Sequence, residues 1–163
     1  SRNITFLSKI PEQVMWNSDK GFLNTIIINL ISNAFKYTPD GQSIKIEVDT
    51  SRENMLALRV ANEGSTIKEK DFQYIFNRYA ILDNFENQDE KNFSRNGLGL
   101  AISYNMAKLL NGTLKVENTS DGWVMFTLTL PVMELTTGVS ETKRLMAEYI
   151  PKIDTQPILK LPQ

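Results

Sequence analysis

The chain has 163 residues and a mass of 18.6 kDa, with 41% hydrophobic and 23% charged residues, 18 basic side chains against 19 acidic ones and a net charge of −1. That length suits one domain with a core of its own, and the balanced charge supplies no basic footprint for nucleic acid or an anionic membrane. With neither cysteine nor histidine present, disulfides, thiolate zinc sites, cysteine nucleophiles, Ser-His-Asp triads and histidine acid–base chemistry are excluded, which leaves carboxylates, amides, Lys, Arg, hydroxyls and the backbone.

In chain order, Ile4–Leu7 and Gln13–Trp16 read as short strands around Pro11. Asp19 is an N-cap candidate for a helix from about Lys20 to Tyr37, with Leu23, Ile27, Leu30, Ile31 and Ala34 as its apolar stripe. Thr38-Pro39-Asp40-Gly41 stops that helix, because proline disfavours a helical residue before it and Asp-Gly is turn chemistry. Ser43–Thr50 and Met55–Ala61 alternate as strands across the turn Ser51-Arg52-Glu53-Asn54. Asn62–Thr66 is a polar loop and Lys68–Phe76 a short helix, followed over residues 80–96 by a polar, aperiodic stretch of the kind that forms lids and binding loops. Leu98–Leu110 reads as a helix with Leu98, Ile102, Met106, Leu109 and Leu110 on its buried side, capped by Asn111-Gly112. Thr113–Asn118 and Trp123–Leu130 pair across Thr119-Ser120-Asp121-Gly122, and Pro131 closes the compact part. The tail, residues 132–163, holds a candidate short helix at Glu141–Tyr149 and then Pro151, Pro157 and Pro162, a linker-like composition. No apolar run approaches the roughly 20 residues of a membrane span, and the start Ser1-Arg2-Asn3 carries no apolar leader. The expectation is a soluble fragment of something longer, from a reducing interior.

Four constellations could carry chemistry. Asn29, Asn33, Lys36 and Tyr37 fall within about a 100° sector of the first long helix. Asparagine is a mediocre helix former, so two in register ask for a reason; their neutral hard oxygens suit Mg²⁺, which borrows substrate phosphates, and Lys36 could neutralise phosphate charge. A solvated polar face accounts for the same spacing. Arg95-Asn96-Gly97-Leu98-Gly99-Leu100, at a helix entry, could present bare backbone N–H groups to an anion. It is neither a P-loop nor the dinucleotide fingerprint, and a glycine-requiring turn explains it equally. Val60-Ala61-Asn62-Glu63-Gly64-Ser65-Thr66-Ile67 is a strand end running into a glycine loop, where a side chain could read a nucleobase edge with Gly64 giving room for the ring. An ordinary strand-to-helix loop is the plainer account. In Ile75-Phe76-Asn77-Arg78-Tyr79 the aromatics could anchor a lid's hinge and Arg78 could reach phosphate, or the stretch is a hydrophobic helix end with a surface arginine.

Taken in order, these words resemble the catalytic and ATP-binding domain of bacterial sensor histidine kinases, within the GHKL (Bergerat-fold) ATPases. Asn29-Leu30-Ile31-Ser32-Asn33-Ala34-Phe35-Lys36-Tyr37-Thr38-Pro39 matches the N box, Asn62-Glu63-Gly64 the first glycine box, Ile75-Phe76-Asn77-Arg78-Tyr79 the F box and Gly97-Leu98-Gly99-Leu100-Ala101-Ile102 the second glycine box. The resemblance covers roughly residues 4–131 and is carried most specifically by the N box with Lys-Tyr-Thr-Pro after it. It implies that Asn33 ligates Mg²⁺ bridging the ATP phosphates, that Asn29 supports it, that Lys36 contacts phosphate and that Tyr37 packs near the nucleotide. Gly97 and Gly99 would open the lid's C-terminal hinge onto the phosphates. The wider nucleotide-binding set would include Asn62, Gly64, Ile67, Phe76, Arg78, Tyr79, Arg95, Asn96, Leu98 and Leu100. Three positions depart from the family pattern: Asn62 stands where Asp usually accepts from the adenine amino group, Thr66 replaces the second glycine of the first box, and Arg95 replaces the first glycine of the second.

The resemblance further implies ATP and Mg²⁺ as cofactors and a histidine-bearing dimerisation domain of the same protein as phosphoacceptor. It also implies a response regulator or receiver domain as onward partner, and a homodimeric parent, an inner-membrane receptor carrying this domain on its cytoplasmic side without itself touching membrane. A serine kinase of the same fold and a nucleotide-sensing pseudokinase are the alternatives, with topoisomerase and chaperone types behind them. The expected fold class is α/β, a two-layer sandwich with a mixed, mainly antiparallel sheet carrying three helices on one face, in a domain spanning residues 1–131. The expected core is Leu23, Ile27, Leu30, Ile31, Leu100, Ile102, Met106 and Leu109 with Ile46, Val48, Leu58, Val60, Phe126 and Leu128.

Overall fold

The computed structural model of the chain describes residues 3–77 and 98–132. The expected lid, Arg78, Tyr79, Arg95, Asn96, Gly97 and the tail from residue 133 lie outside the described residues.

Five strands form one sheet in the order β1 (Thr5–Lys9), β2 (Ser43–Asp49), β3 (Met55–Glu63), β5 (Trp123–Pro131) and β4 (Thr113–Asn118). β1 and β2 are parallel, joined by a crossover through α1 (Lys20–Tyr37), and the other three pairings are antiparallel. α2 (Gly99–Leu109) follows, and between β3 and α2 the expected short helix is a 3₁₀ helix at Glu69–Tyr74. The described helices are thus two α and one 3₁₀. Alternation sets the two sheet faces. Leu56, Leu58, Val60 and Asn62 on β3, Val124, Phe126, Leu128 and Leu130 on β5 and Leu114 on β4 are buried, with Val60 opposite Phe126 and Leu58 opposite Leu128. The intervening residues form the other face, polar along β2 and β4, on which Arg59 bridges Glu47 (3.4 Å) and Asp49 (3.5 Å). The Ser51 hydrogen bonds, with Arg59 behind them, hold the Asp49 carboxyl below the ordinary aspartate range.

The ends of α1 are set locally. The Asp19 carboxylate accepts from the Phe22 N–H (3.0 Å), and Thr38, held extended before Pro39, donates its hydroxyl back to the Ala34 carbonyl (2.6 Å). Asp19→Ala is expected to cost about 1 kcal/mol in a urea melt, the usual worth of an N-cap. Which face of α1 is buried departs from the expectation. Phe22, Ile26, Leu30 and Ala34 face the core, while Leu23, Ile27 and Ile31 are half-buried. The buried face is therefore turned roughly 60° from the expected stripe. Both lines are apolar, so the sequence pattern alone does not choose, and the chosen line brings Asn29 and Asn33 to the margin of the core.

A similar exchange occurs in α2, whose inward residues are Ala101, Ser103, Met106 and Ala107 followed by Leu110, with Leu100, Ile102 and Leu109 half-buried. Small residues on the inner face let the helix approach its neighbours closely. Ile46 and Val48 are also only half-buried, because β2 lies next to β1, an edge strand exposed along its whole length; Ile44 is the β2 residue in the core. Gln13–Trp16 is not a strand: no strand pairs with it among the described residues, and Met15 is 90% exposed. α2 ends in a Schellman pattern, Gly112 N–H to the Ala107 carbonyl (2.8 Å) and Asn111 N–H to that of Lys108 (2.9 Å), in which Asn111 takes the left-handed position with φ 55°.

Candidate functional site

The two asparagines of α1 behave differently. Asn29 donates its amide to the Gly99 carbonyl (3.1 Å) and to the Ser103 hydroxyl (3.0 Å), one turn apart on α2. It is a bracket that fixes the start of α2 against the middle of α1. Asn33, one turn further along α1, is half-buried on the same side and takes no part in that bracket. A Cβ on Gly99 would sit 3.5 Å from the Asn29 carboxamide, an ordinary contact. Packing against Asn29 therefore does not demand glycine, and at Gly99 the α2 backbone meets the Asn29 carboxamide with no side chain of its own. Leu98 and Leu100, on either side of Gly99, are half-buried, and Ala101 is buried. Lys36 sits over the Tyr37 ring with its ammonium 5.1 Å from the centroid.

At the end of β3, Asn62 is buried, with 2% of its surface exposed. Its amide donates to the Ser65 hydroxyl (3.0 Å), and that hydroxyl donates to the Tyr37 carbonyl (3.0 Å), so the first glycine box is tied to the last residue of α1. Gly64 has φ +84°, and a Cβ there would come within 3.1 Å of Pro39 and 3.2 Å of Gln42. The space where a side chain would sit is taken by the turn after α1. Ile67 is buried, and the Asn118 carboxamide clamps its backbone at both groups: the Ile67 N–H donates to Asn118 Oδ1 (3.0 Å) and Asn118 Nδ2 donates to the Ile67 carbonyl (2.7 Å).

Phe76 stacks on Tyr104 of α2 (centroids 4.9 Å apart, planes at 16°) and meets Phe126 of β5 edge-on at 6.3 Å. Its ring contacts among the described residues are with these α2 and sheet aromatics. Ser65, Ser103 and Asn118 are the residues that spacing did not single out. A hydroxyl at the fourth residue after Gly99, amid the apolar face of α2, is the one signal that could have pointed to Ser103; Asn118 carries none, since it lies 51 residues from its partner.

Among the described residues no three Asp, Glu, His or Cys side chains gather as a metal cage. A divalent cation here would rely on neutral amide oxygen and on oxygens that a ligand brings, the habit of Mg²⁺ with nucleotide phosphates. The half-buried Asn33 carboxamide, one turn from Asn29 on α1, fits that donor chemistry.

Residues 18–134 match the family model of the histidine kinase-, DNA gyrase B- and HSP90-like ATPases. The chain belongs to this family. Within it, the chain is an ATP-binding catalytic domain of the sensor histidine kinase type. It is 32% identical over 115 residues to histidine kinase P4 of Formosa agariphila, covering 70% of this chain and 8% of that protein. It is 27% identical over 135 residues to the sensor histidine kinase WalK of Bacillus subtilis, covering 82% of this chain and 22% of WalK. The chain therefore spans less than a quarter of the length of either relative. The catalytic domain of histidine kinase ThkA superposes with a TM-score of 0.63 at 25% identity, covering 80% of each chain. The mycobacterial sensor histidine kinase MprB shares the fold, with a TM-score of 0.66 at 21% identity over 81% of this chain and 86% of that one.

Proposed function

We propose that this domain binds ATP with Mg²⁺ between α1, α2 and the Asn62–Ile67 loop, and donates the γ-phosphoryl group to a histidine on a separate dimerisation domain. The observation that supports this most directly is the Asn29 bracket, which holds the start of α2 against the helix that also carries Asn33. Asn33 would be the protein ligand of Mg²⁺, and the ion, when bound, neutralises charge on the phosphates. The remaining work falls to the chain. Lys36 adds a cation near the phosphates, the α2 N-terminus offers free N–H groups to them, and Asn62 accepts from the nucleobase. In the transfer the bond from the γ-phosphorus to the bridging oxygen of ADP breaks and a bond to an imidazole nitrogen forms. Since the chain contains no histidine, that nitrogen must come from elsewhere. A response regulator as onward partner and a homodimeric membrane receptor as parent follow from the same reading.

The test supplies this domain with γ-labelled ATP, Mg²⁺ and a purified histidine-bearing two-helix domain from a sensor kinase of the family. The expected product is phosphohistidine, labile to acid and stable to base, and absent when the acceptor histidine is changed to glutamine. Transfer only to a serine-bearing partner would replace this reading with the serine kinase, and Mg-ATP binding without transfer to any histidine would leave the pseudokinase, for which Asn62 and Thr66 speak.

A further inference from the structure

An asparagine that reads a nucleobase has a problem an aspartate lacks. Its two ends are nearly the same shape but of opposite hydrogen-bonding sense, so a free carboxamide can present either an acceptor or a donor to the base. An acceptor selects a purine with a 6-amino group, and a donor selects one with a 6-oxo group. The chain from Tyr37 to Asn62 removes that freedom. The Tyr37 carbonyl can only accept, so the Ser65 hydroxyl 3.0 Å away must spend its single proton there. What Ser65 then offers Asn62, also at 3.0 Å, is a lone pair, and only the amide nitrogen can use it. One of the two Nδ2 protons is so engaged, which fixes the orientation of the carboxamide and keeps Oδ1, its acceptor, away from Ser65 and turned to a ligand. Asn62 is 2% exposed, so the opposite orientation would set the carboxamide oxygen against the hydroxyl's lone pairs with no water to compensate.

We propose that Ser65 is a specificity-determining positioning residue: by donating to the Tyr37 carbonyl and accepting from Asn62 Nδ2, it locks the Asn62 carboxamide as an acceptor and so makes the site choose 6-aminopurine over 6-oxopurine nucleotides. The inference rests on the reading of Asn62 as the nucleobase acceptor. It also accounts for how asparagine can stand at a position where the family usually has aspartate, whose two oxygens need no orienting.

The experiment compares ATP with inosine triphosphate, which differ at the 6-position and the adjoining ring proton, by calorimetry with Mg²⁺ on the whole chain. The native chain is expected to prefer ATP by roughly tenfold or more, the worth of one well-placed hydrogen bond against a mismatched one. Ser65→Ala is expected to erase most of that preference, largely by letting inosine triphosphate bind better, and Ser65→Thr, which keeps the hydroxyl, to restore it. In an Asn62→Asp background, Ser65→Ala should leave the preference unchanged, because a carboxylate has no donor end to misplace. A Ser65→Ala chain that weakens both nucleotides equally, or keeps the native ratio, overturns the proposal, as does the same loss of preference in the Asn62→Asp background. A native chain that binds neither nucleotide is a separate outcome: it overturns the reading of the site itself, and with it the inference.

Discussion

Asn33→Ala is expected to weaken Mg²⁺-dependent ATP binding by about a hundredfold or more while leaving the fold intact. The magnitude follows from direct ligation, since disturbing even the outer partners of a metal ligand costs about 10- to 100-fold in metal affinity. The intact fold follows from the division of labour on α1. The bonds that hold α1 to α2 belong to Asn29, through Gly99 and Ser103, and none of them is lost with Asn33. Alanine is also the better helix former, by about 0.5 kcal/mol, so the urea midpoint should stay level or rise slightly. Asn29→Ala should do the reverse in part, leaving the Gly99 carbonyl and Ser103 hydroxyl without that partner and destabilising the domain by about 1–3 kcal/mol. Calorimetry settles the first point: unchanged Mg-ATP affinity in Asn33→Ala would remove the Mg²⁺ assignment, whatever the melt shows.

How much of this was legible in the sequence depends on whether the deciding interaction is local. α1 begins and ends where Asp19 and Thr38-Pro39 place it, because a cap and a proline act within one turn. β4 runs from Thr113 to Asn118 as its alternation predicts. Local pattern failed where two answers were locally equivalent. Both apolar lines of α1 satisfy helical periodicity, and only the sheet beneath and α2 beside it select Phe22, Ile26, Leu30 and Ala34. In α2 the larger aliphatics looked like the core, yet Ala101, Ser103 and Ala107 take the inner face, where space is scarce. The site divides the same way. Asn29 and Asn33 fall on α1 and Gly99 at the start of α2, as the motif words place them, but the Asn118 clamp on Ile67 depends on which strand edges lie together. Gly64 combines a left-handed φ of +84° with crowding by Pro39 and Gln42, a contact between two loops that no spacing rule contains.

Gly112 gives the sharpest test of that last kind of constraint. Its φ is not in the left-handed region, which Asn111 occupies instead, so φ is not what calls for glycine here. Space is what forbids one. A Cβ at position 112 would lie 2.4 Å from the Thr129 carbonyl oxygen and 2.6 Å from a Leu130 methyl. The methyl could turn aside, but the carbonyl belongs to Thr129 of β5, which is paired with Thr113 on one side and Ala57 on the other. Relief therefore requires the end of α2 or the β4–β5 register to move, and Leu110, Leu114 and Leu130, all buried nearby in sequence or pairing, would move with it. Gly112→Ala is expected to destabilise the domain by about 3 kcal/mol or more, the upper range for overpacking a core. Gly122→Ala serves as the contrast. It has φ +86° and open space around it, so it should lose only about 1–2 kcal/mol, through backbone strain. Equal losses in the two variants, read from urea melts at matched slopes, would mean that the α2–β5 approach yields more easily than its backbone contact implies.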